Sequence, residues 1–193
     1  MQKVVSFTQM QYGTREDYQL LDAEAEAYAR GLPGVVLTTL QQLGRGLQGY
    51  RVSRLEHSLQ CATRAQRAGA DEELIVGALL HDIGDELAPY NHAAVAAAVI
   101  RPYVREEVTW IVAQHGLMQT YYYAHHQGGD RNMRDTLRGH RWFDAAAAFC
   151  EHWDQASFDP DYDSQPLEAF EPLLQQIFSR KPHDPLVLLA TPG

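Results

Sequence analysis

The sequence predicts an all-α fold, a single helical bundle over residues 1–180 with a flexible tail at 181–193. Three observations lead there. Strong helix formers dominate, and alternating β-branched runs are scarce. Apolar residues recur at three- and four-residue spacing between capping and stop signals. No repeat, low-complexity tract or Pro/Gly/Ser linker divides the 193 residues, a length that builds one core.

Each element follows from local signals. A polar first helix is expected at 17–30, ended by Gly31 and Pro33, and a second at 35–48 with glycines 44, 46 and 49 marking the loop after it. Ser53 and Glu56 have capping-box spacing and open a helix at 54–69. Asp71 caps the next, which runs through Leu80 to His81-Asp82 and stops near Gly84. A helix at 91–100 follows, then one at 102–115 with Pro102 in its first turn. Residues 121–139 are aromatic and basic with no clear period. Residues 141–155 and 166–180 supply the last two helices.

Composition excludes several function classes. The net charge is −9 and the only lysines are Lys3 and Lys181, which argues against nucleic acid and anionic membranes as partners. The longest apolar runs are too short to span a bilayer, and residues 1–10 lack the basic flank and apolar core of a signal peptide. A cytoplasmic enzyme acting on a small molecule is the expectation, with room for a homo-oligomer. Cys61 and Cys150 alone build neither a disulfide framework nor a thiolate metal site. The unusual entry is nine histidines.

Helical phase says where those histidines point. In the helix from Arg54, the residues Glu56, Gln60, Thr63 and Arg67 make a solvent stripe, and His57 falls off it beside Cys61 and Ala65. His81 continues the line of Leu74 and Ala78, and Asp82 that of Ile75 and Leu79. His92 heads a stripe with Val95, Ala96 and Val99; His115 ends the stripe of Val104, Val108 and Ile111; Asp154 ends that of Phe143, Ala147 and Cys150. Any one such histidine is more often a hydrogen-bonded core residue than a ligand. Six inward donors together are different, because burying them without partners costs several kcal/mol each, about enough to unfold a domain. Imidazole and carboxylate suit iron, manganese or zinc.

In chain order the donors are His57, the adjacent pair His81-Asp82, His92, His115 and Asp154. This pattern resembles the HD-domain superfamily, whose hallmark is the adjacent His-Asp. The two extra histidines are similar to its dinuclear variant. That resemblance implies one ion held by His57, His81 and Asp154, a second held by His92 and His115, and Asp82 bridging. Dinuclear members include phosphohydrolases and oxygenases. The segment Val52-Ser53-Arg54-Leu55-Glu56-His57-Ser58-Leu59-Gln60 and the run from Ala78 to Gly84 resemble the oxygenases that cleave 1-hydroxyphosphonates, over about residues 47–178. The implied cofactors are two irons, Fe(II)/Fe(III), with O2 as co-substrate. The implied products are phosphate and a carboxylic acid. A metal-dependent phosphohydrolase and a non-catalytic metal-stabilised domain are the alternatives.

Where the aminohydroxyphosphonate enzymes place a glutamate ahead of the first histidine, this chain has Tyr50, with Leu47 at their tyrosine position; where they use a histidine near the phosphonate, it has Asp85. An aromatic ring suits a methylated ammonium that cannot donate hydrogen bonds. Tyr50, Tyr121 and Tyr123, with Asp85 as acidic partner, are therefore candidate contacts for an N-methylated substrate such as 1-hydroxy-2-(trimethylamino)ethylphosphonate, which would yield betaine. Three successive tyrosines also have a plain packing role open to them. His125, Arg131, Arg134 and Arg138 are candidates for an anion clamp, or equally a solvated basic surface paired with Asp130 or Asp135. Tyr12 is a loose candidate for covering the site.

Overall fold

A computed structural model describes residues 3–182; the tail expected to fray lies from residue 183 onward outside the described residues. Among them the regular structure is all helical, with no strand and no helix long and apolar enough to cross a membrane. The α-helices are α1 (Arg15–Ala29), α2 (Leu32–Gln42), α3 (Arg54–Arg67), α4 (Glu72–Leu80), α5 (His92–Ile100), α6 (Glu106–Tyr123), α7 (Phe143–Phe149) and α8 (Glu171–Phe178). Helix α3 packs on α4, α5 on α6, and α6 on α7, with α2 and α8 closing the far side of α3 and α4. Leu40, Leu79, Leu80, Ile100, Ile111, Val112, Phe170 and Leu174 are almost fully buried between them.

Caps set most of the starts. Ser53 Oγ accepts from the Glu56 N–H at 3.1 Å and opens α3, and Asp71 accepts from the N–H groups of Glu73 and Leu74 and opens α4. Helix α1 starts earlier than expected because Thr14 is its cap and Asp17 the reciprocal partner in the capping box. Pro33 lies in the first turn of α2 instead of stopping α1, where its missing N–H costs nothing.

Further expectations need correction, the second helix being shorter at Leu32–Gln42 and the last at Glu171–Phe178. Pro102 sits in a turn; α6 begins after Arg105, with Glu106 and Glu107 in its first turn, and runs on to include all three tyrosines 121–123. The expected helix at 141–155 is α7 continued by a π-helical turn, Cys150–Asp154, closed by the Gln155 N–H to the Cys150 carbonyl at 3.0 Å. The solvent stripe on α3 is half covered. Gln60 and Thr63 are fully buried because residues 157–165 cross them: Gln60 Nε2 donates to the Asp159 carbonyl at 2.7 Å, and the Gln165 N–H donates to Thr63 Oγ1 at 3.0 Å.

Helix α1 buries little beyond Asp17, whose carboxylate accepts from the N–H groups of Thr14 (2.9 Å) and Ser6 (2.7 Å). These bonds, the Thr14 one foremost, hold its pKa near 2. A folded-state pKa below the unfolded value means the stabilisation is complete above the ordinary carboxylate range and is lost as pH falls toward 2. The melting-temperature gap between wild type and Asp17→Asn is therefore expected to be widest above about pH 5 and to close in acid, as thermal melts across pH will check.

Candidate metal centre

Five elements deliver six donors to one place. His57 lies in the first turn of α3. His81 and Asp82 follow directly on α4, in a tight turn closed by the Ile83 N–H to Leu80 and the Asp85 N–H to Asp82, both at 3.0 Å. His92 begins α5, His115 lies inside α6, and Asp154 ends the π-helical turn. That wider turn alters the helical phase after Phe149 just before the carboxylate is presented.

The donors form two clusters that share one residue. In the first, His57 Nε2 lies 3.0 Å from His81 Nε2, 3.2 Å from Asp154 Oδ1 and 3.3 Å from Asp82 Oδ2, while His81 Nε2 lies 3.1 Å from Asp82 Oδ2. In the second, His92 Nε2 and His115 Nε2 are 3.2 Å apart, and each is within 3.4 Å of Asp82 Oδ1. Asp82 thus turns one oxygen to each cluster. Metal–nitrogen and metal–oxygen bonds of about 2.0–2.2 Å place neighbouring ligand atoms about 2.9–3.5 Å apart.

Ring orientation fixes the tautomers. His57 Nδ1 bonds the Ser157 carbonyl at 2.9 Å, His81 Nδ1 that of Ala78 at 2.8 Å, and His115 Nδ1 that of Val112 at 2.6 Å. A carbonyl only accepts, so each Nδ1 carries hydrogen and each Nε2 lone pair faces its cluster. Buried Oδ1 atoms of Asp82 and Asp154 consequently find no hydrogen-bond donor. Converging lone pairs and orphaned carboxylate oxygens are mutually repulsive unless a cation sits among them, so the donor set fits a pair of metal ions.

The same geometry couples protons to any cation. Burial opposes charge on His81, but the carboxylates of Asp82 and Asp154 outweigh it and raise its pKa well above the ordinary value; His57 is raised in the same way, by Asp154 and Asp82. Burial likewise works against ionised Asp82 and Asp154, yet His81 holds both well below the carboxylate range. Protons and cations therefore compete for the same donor atoms. Cys61 and Cys150 stay protonated, since burial first and Asp154 second push both thiols up.

An open cavity of about 890 Å³ reaches these clusters through Asp82 and His92. Tyr50, Asp85 and Tyr123 line it, together with Arg54, Glu86, Tyr122 and Phe158. Tyr50 stacks on Phe158 at 5.0 Å, and Phe158 stacks on the His57 ring at 4.3 Å, a run of rings from cavity to donor cluster.

The other expected substrate contacts lie elsewhere. Arg131 and Arg134 stand over the Tyr121 ring at 4.1 and 3.6 Å, and Arg134 lies behind Tyr122, which lines the cavity. Arg138 pairs with Asp135 on the surface, while His125 is exposed against His126 and Tyr12 is exposed. Neither Tyr121 nor His125, Arg131, Arg134 or Arg138 is among the residues that line the cavity, so the structure does not bring the expected clamp to its wall.

The sequence reading missed Arg54. It is buried at the start of α3, donates from Nη2 to Asp82 Oδ2, and donates from Nε to Asp85 Oδ2 at 2.7 Å. It supplies a buried cation to two of the inward carboxylates. Asp85 is engaged by Arg54 and is not a free negative charge facing the cavity. Arg54 stands three residues before His57 on the same helix face, a spacing that could have signalled it. Ser157 and Phe158 carried no signal, since they lie in an aperiodic segment.

The HD-domain family model matches residues 54–153, just over half of the chain. The chain is an HD-domain protein. The match starts at Arg54 and ends one residue before Asp154, so it contains five of the six donors. Over 84 residues the HD-domain chain is 36% identical to a Leisingera caerulea protein, the 1-hydroxy-2-(trimethylamino)ethylphosphonate dioxygenase (glycine-betaine-forming); the match takes in 38% of this chain and 43% of that protein's length.

Proposed function

We propose that this HD-domain protein is a mixed-valent diiron oxygenase that cleaves the C–P bond of a 1-hydroxyphosphonate bearing an N-methylated ammonium, with 1-hydroxy-2-(trimethylamino)ethylphosphonate as the first candidate. The observation that carries it is the double cluster: four Nε2 lone pairs divided between the two oxygens of Asp82, beside an aromatic-lined cavity. His57, His81 and Asp154 would hold one ion, His92 and His115 the other, with Asp82 between. The partial match to a dioxygenase of that substrate supports the choice of chemistry.

When bound, an iron pair supplies chelation of the substrate oxygens and activation of O2. The overall balance is R–CH(OH)–PO3H2 + O2 → R–COOH + H3PO4. The C1–H and C–P bonds break, C1 and phosphorus each gain an oxygen, and no external reductant is consumed. The chain's own residues bind and orient. The exposed Tyr50 ring, backed by its stack on Phe158, offers aromatic surface to a quaternary ammonium, Tyr123 adds more, and Glu86 places a negative charge on the same wall. Holding the ammonium there fixes where C1 and the phosphonate fall relative to Asp82 and His92.

The hydrolytic alternative uses the same donors. Asp85 does not stand against it as an unpaired carboxylate, because Arg54 is ion-paired with it. Anaerobic purification, iron analysis and O2-dependent phosphate release from the candidate substrate separate the readings. A low-temperature EPR signal from coupled Fe(II)/Fe(III), perturbed by substrate, is expected. Phosphate release from phosphoesters without O2 would favour a hydrolase, and neither activity a binding domain. Within the oxygenase reading, Tyr50→Glu is expected to shift kcat/KM toward the primary-amine analogue by about tenfold, the scale of one exposed-to-buried cation–π contact. An unchanged preference would remove the ring from substrate selection.

A further inference from the structure

His92 differs from the other three imidazoles of the double cluster. Their Nδ1 atoms have backbone acceptors at 2.6–2.9 Å, whereas the hydrogen bond of His92 Nδ1 to the Pro89 carbonyl is longer, at 3.3 Å. Its side chain is also 25% exposed where theirs are buried, so packing restrains it least. Asp85 brings a second acceptor, a charged one, to the same distance from that nitrogen. Its Oδ1 lies 3.3 Å from His92 Nδ1, and its Oδ2 accepts from Arg54 Nε at 2.7 Å. Arg54 also reaches Asp82 through Nη2, so one planar guanidinium fixes two carboxylates at once.

We propose that Asp85 is a positioning residue for the second ion: held by Arg54, its carboxylate takes the Nδ1–H of His92 and aims the ring's Nε2 at Asp82 Oδ1. A carboxylate behind a metal-binding imidazole fixes its tautomer and raises its basicity, the service the backbone carbonyls perform for His57, His81 and His115. The arrangement explains how an acidic residue is tolerated at the cavity edge, since both its oxygens face donors. It rests on the two-ion reading above. A competing role is open on distance alone, because Asp82, Asp85 and His92 also lie close enough to share an ion.

Anaerobic titration of the metal-free full chain with Co(II), followed by visible absorption and native mass spectrometry, distinguishes the roles. Wild type is expected to take two ions. Asp85→Ala should weaken the second about 10- to 100-fold and leave the first unchanged, while Asp85→Asn, whose single amide oxygen can still accept from His92 but whose NH2 then faces Arg54 Nε, should fall clearly between alanine and wild type. If asparagine costs as much as alanine, Asp85 is a ligand and the proposal falls. It falls too if alanine changes neither site. Circular dichroism of the metal-free variants reports folding, with Asp85→Val as the second removal variant. If both removal variants fail to fold, the residue is structural and the proposal is overturned. Fewer than two ions in wild type would sink the two-ion reading itself, whereas two ions with an indifferent Asp85 would sink only the positioning role.

Discussion

Replacing Asp82 by alanine is expected to abolish both metal sites together, while His92→Ala should cost only one. The asymmetry follows from the division of its carboxylate, Oδ1 toward His92 and His115, Oδ2 toward His57 and His81. The first cluster would keep two imidazoles and Asp154, but would lose the anion that offsets their repulsion. Arg54 would lose a buried partner and keep Asp85, a loss of about 1–3 kcal/mol in the metal-free protein. Any rise in melting temperature on adding metal to wild type should vanish in the variant, because that rise is binding energy. Elemental analysis after reconstitution and paired melts with and without metal make the check. One fully retained ion in Asp82→Ala would contradict a bridging role.

Gly84→Ala is expected to damage the second site without touching a donor. A Cβ on Gly84 would lie 2.6 Å from the His92 carbonyl oxygen and 2.9 Å from His92 Cα, both backbone atoms, so the start of α5 must move. Overpacking of this kind costs about 1–3 kcal/mol. The displaced segment carries His92, so the second ion should weaken and the first should persist. Gly116 is the control, next to His115 inside α6 with nothing within 4 Å of a built Cβ. There alanine should stabilise by about 0.5–1 kcal/mol through helix propensity alone. Calorimetry and metal stoichiometry on both variants test the pair; equal behaviour would refute the steric argument.

The helices and the six inward donors were legible because caps and phase are local properties. Ser53 and Asp71 cap as their spacing suggests, and the stripes of His81, Asp82 and His115 lead to buried positions; Asp154 is buried as well, but by way of a π-helical turn that α-helical phase does not describe. Phase names a face but not what covers it. Gln60 and Thr63 look like solvent residues until residues 157–165 cross them, and that segment, rich in Asp, Ser and Pro, has no period to read. Arg54 was missed for the mirror reason: an arginine in a first turn looks solvated, and only the fold supplies the carboxylates at 82 and 85. The arginines of 131–138 looked like an anion clamp because charge density is visible in sequence, whereas the Tyr121 face that absorbs two of them is not.

The hydrogen bond from His57 to the Ser157 carbonyl joins residues 100 positions apart. Closing so long a loop is entropically late, since nothing rewards it until the intervening helices have docked. During synthesis His57, His81, Asp82, His92 and His115 all leave the ribosome before Asp154 and Ser157, so the nascent chain holds most of the chelating groups but no finished pocket. Capture of metal is thereby tied to the arrival of the 150s, and an ion taken up earlier would meet an incomplete and exchangeable set of ligands.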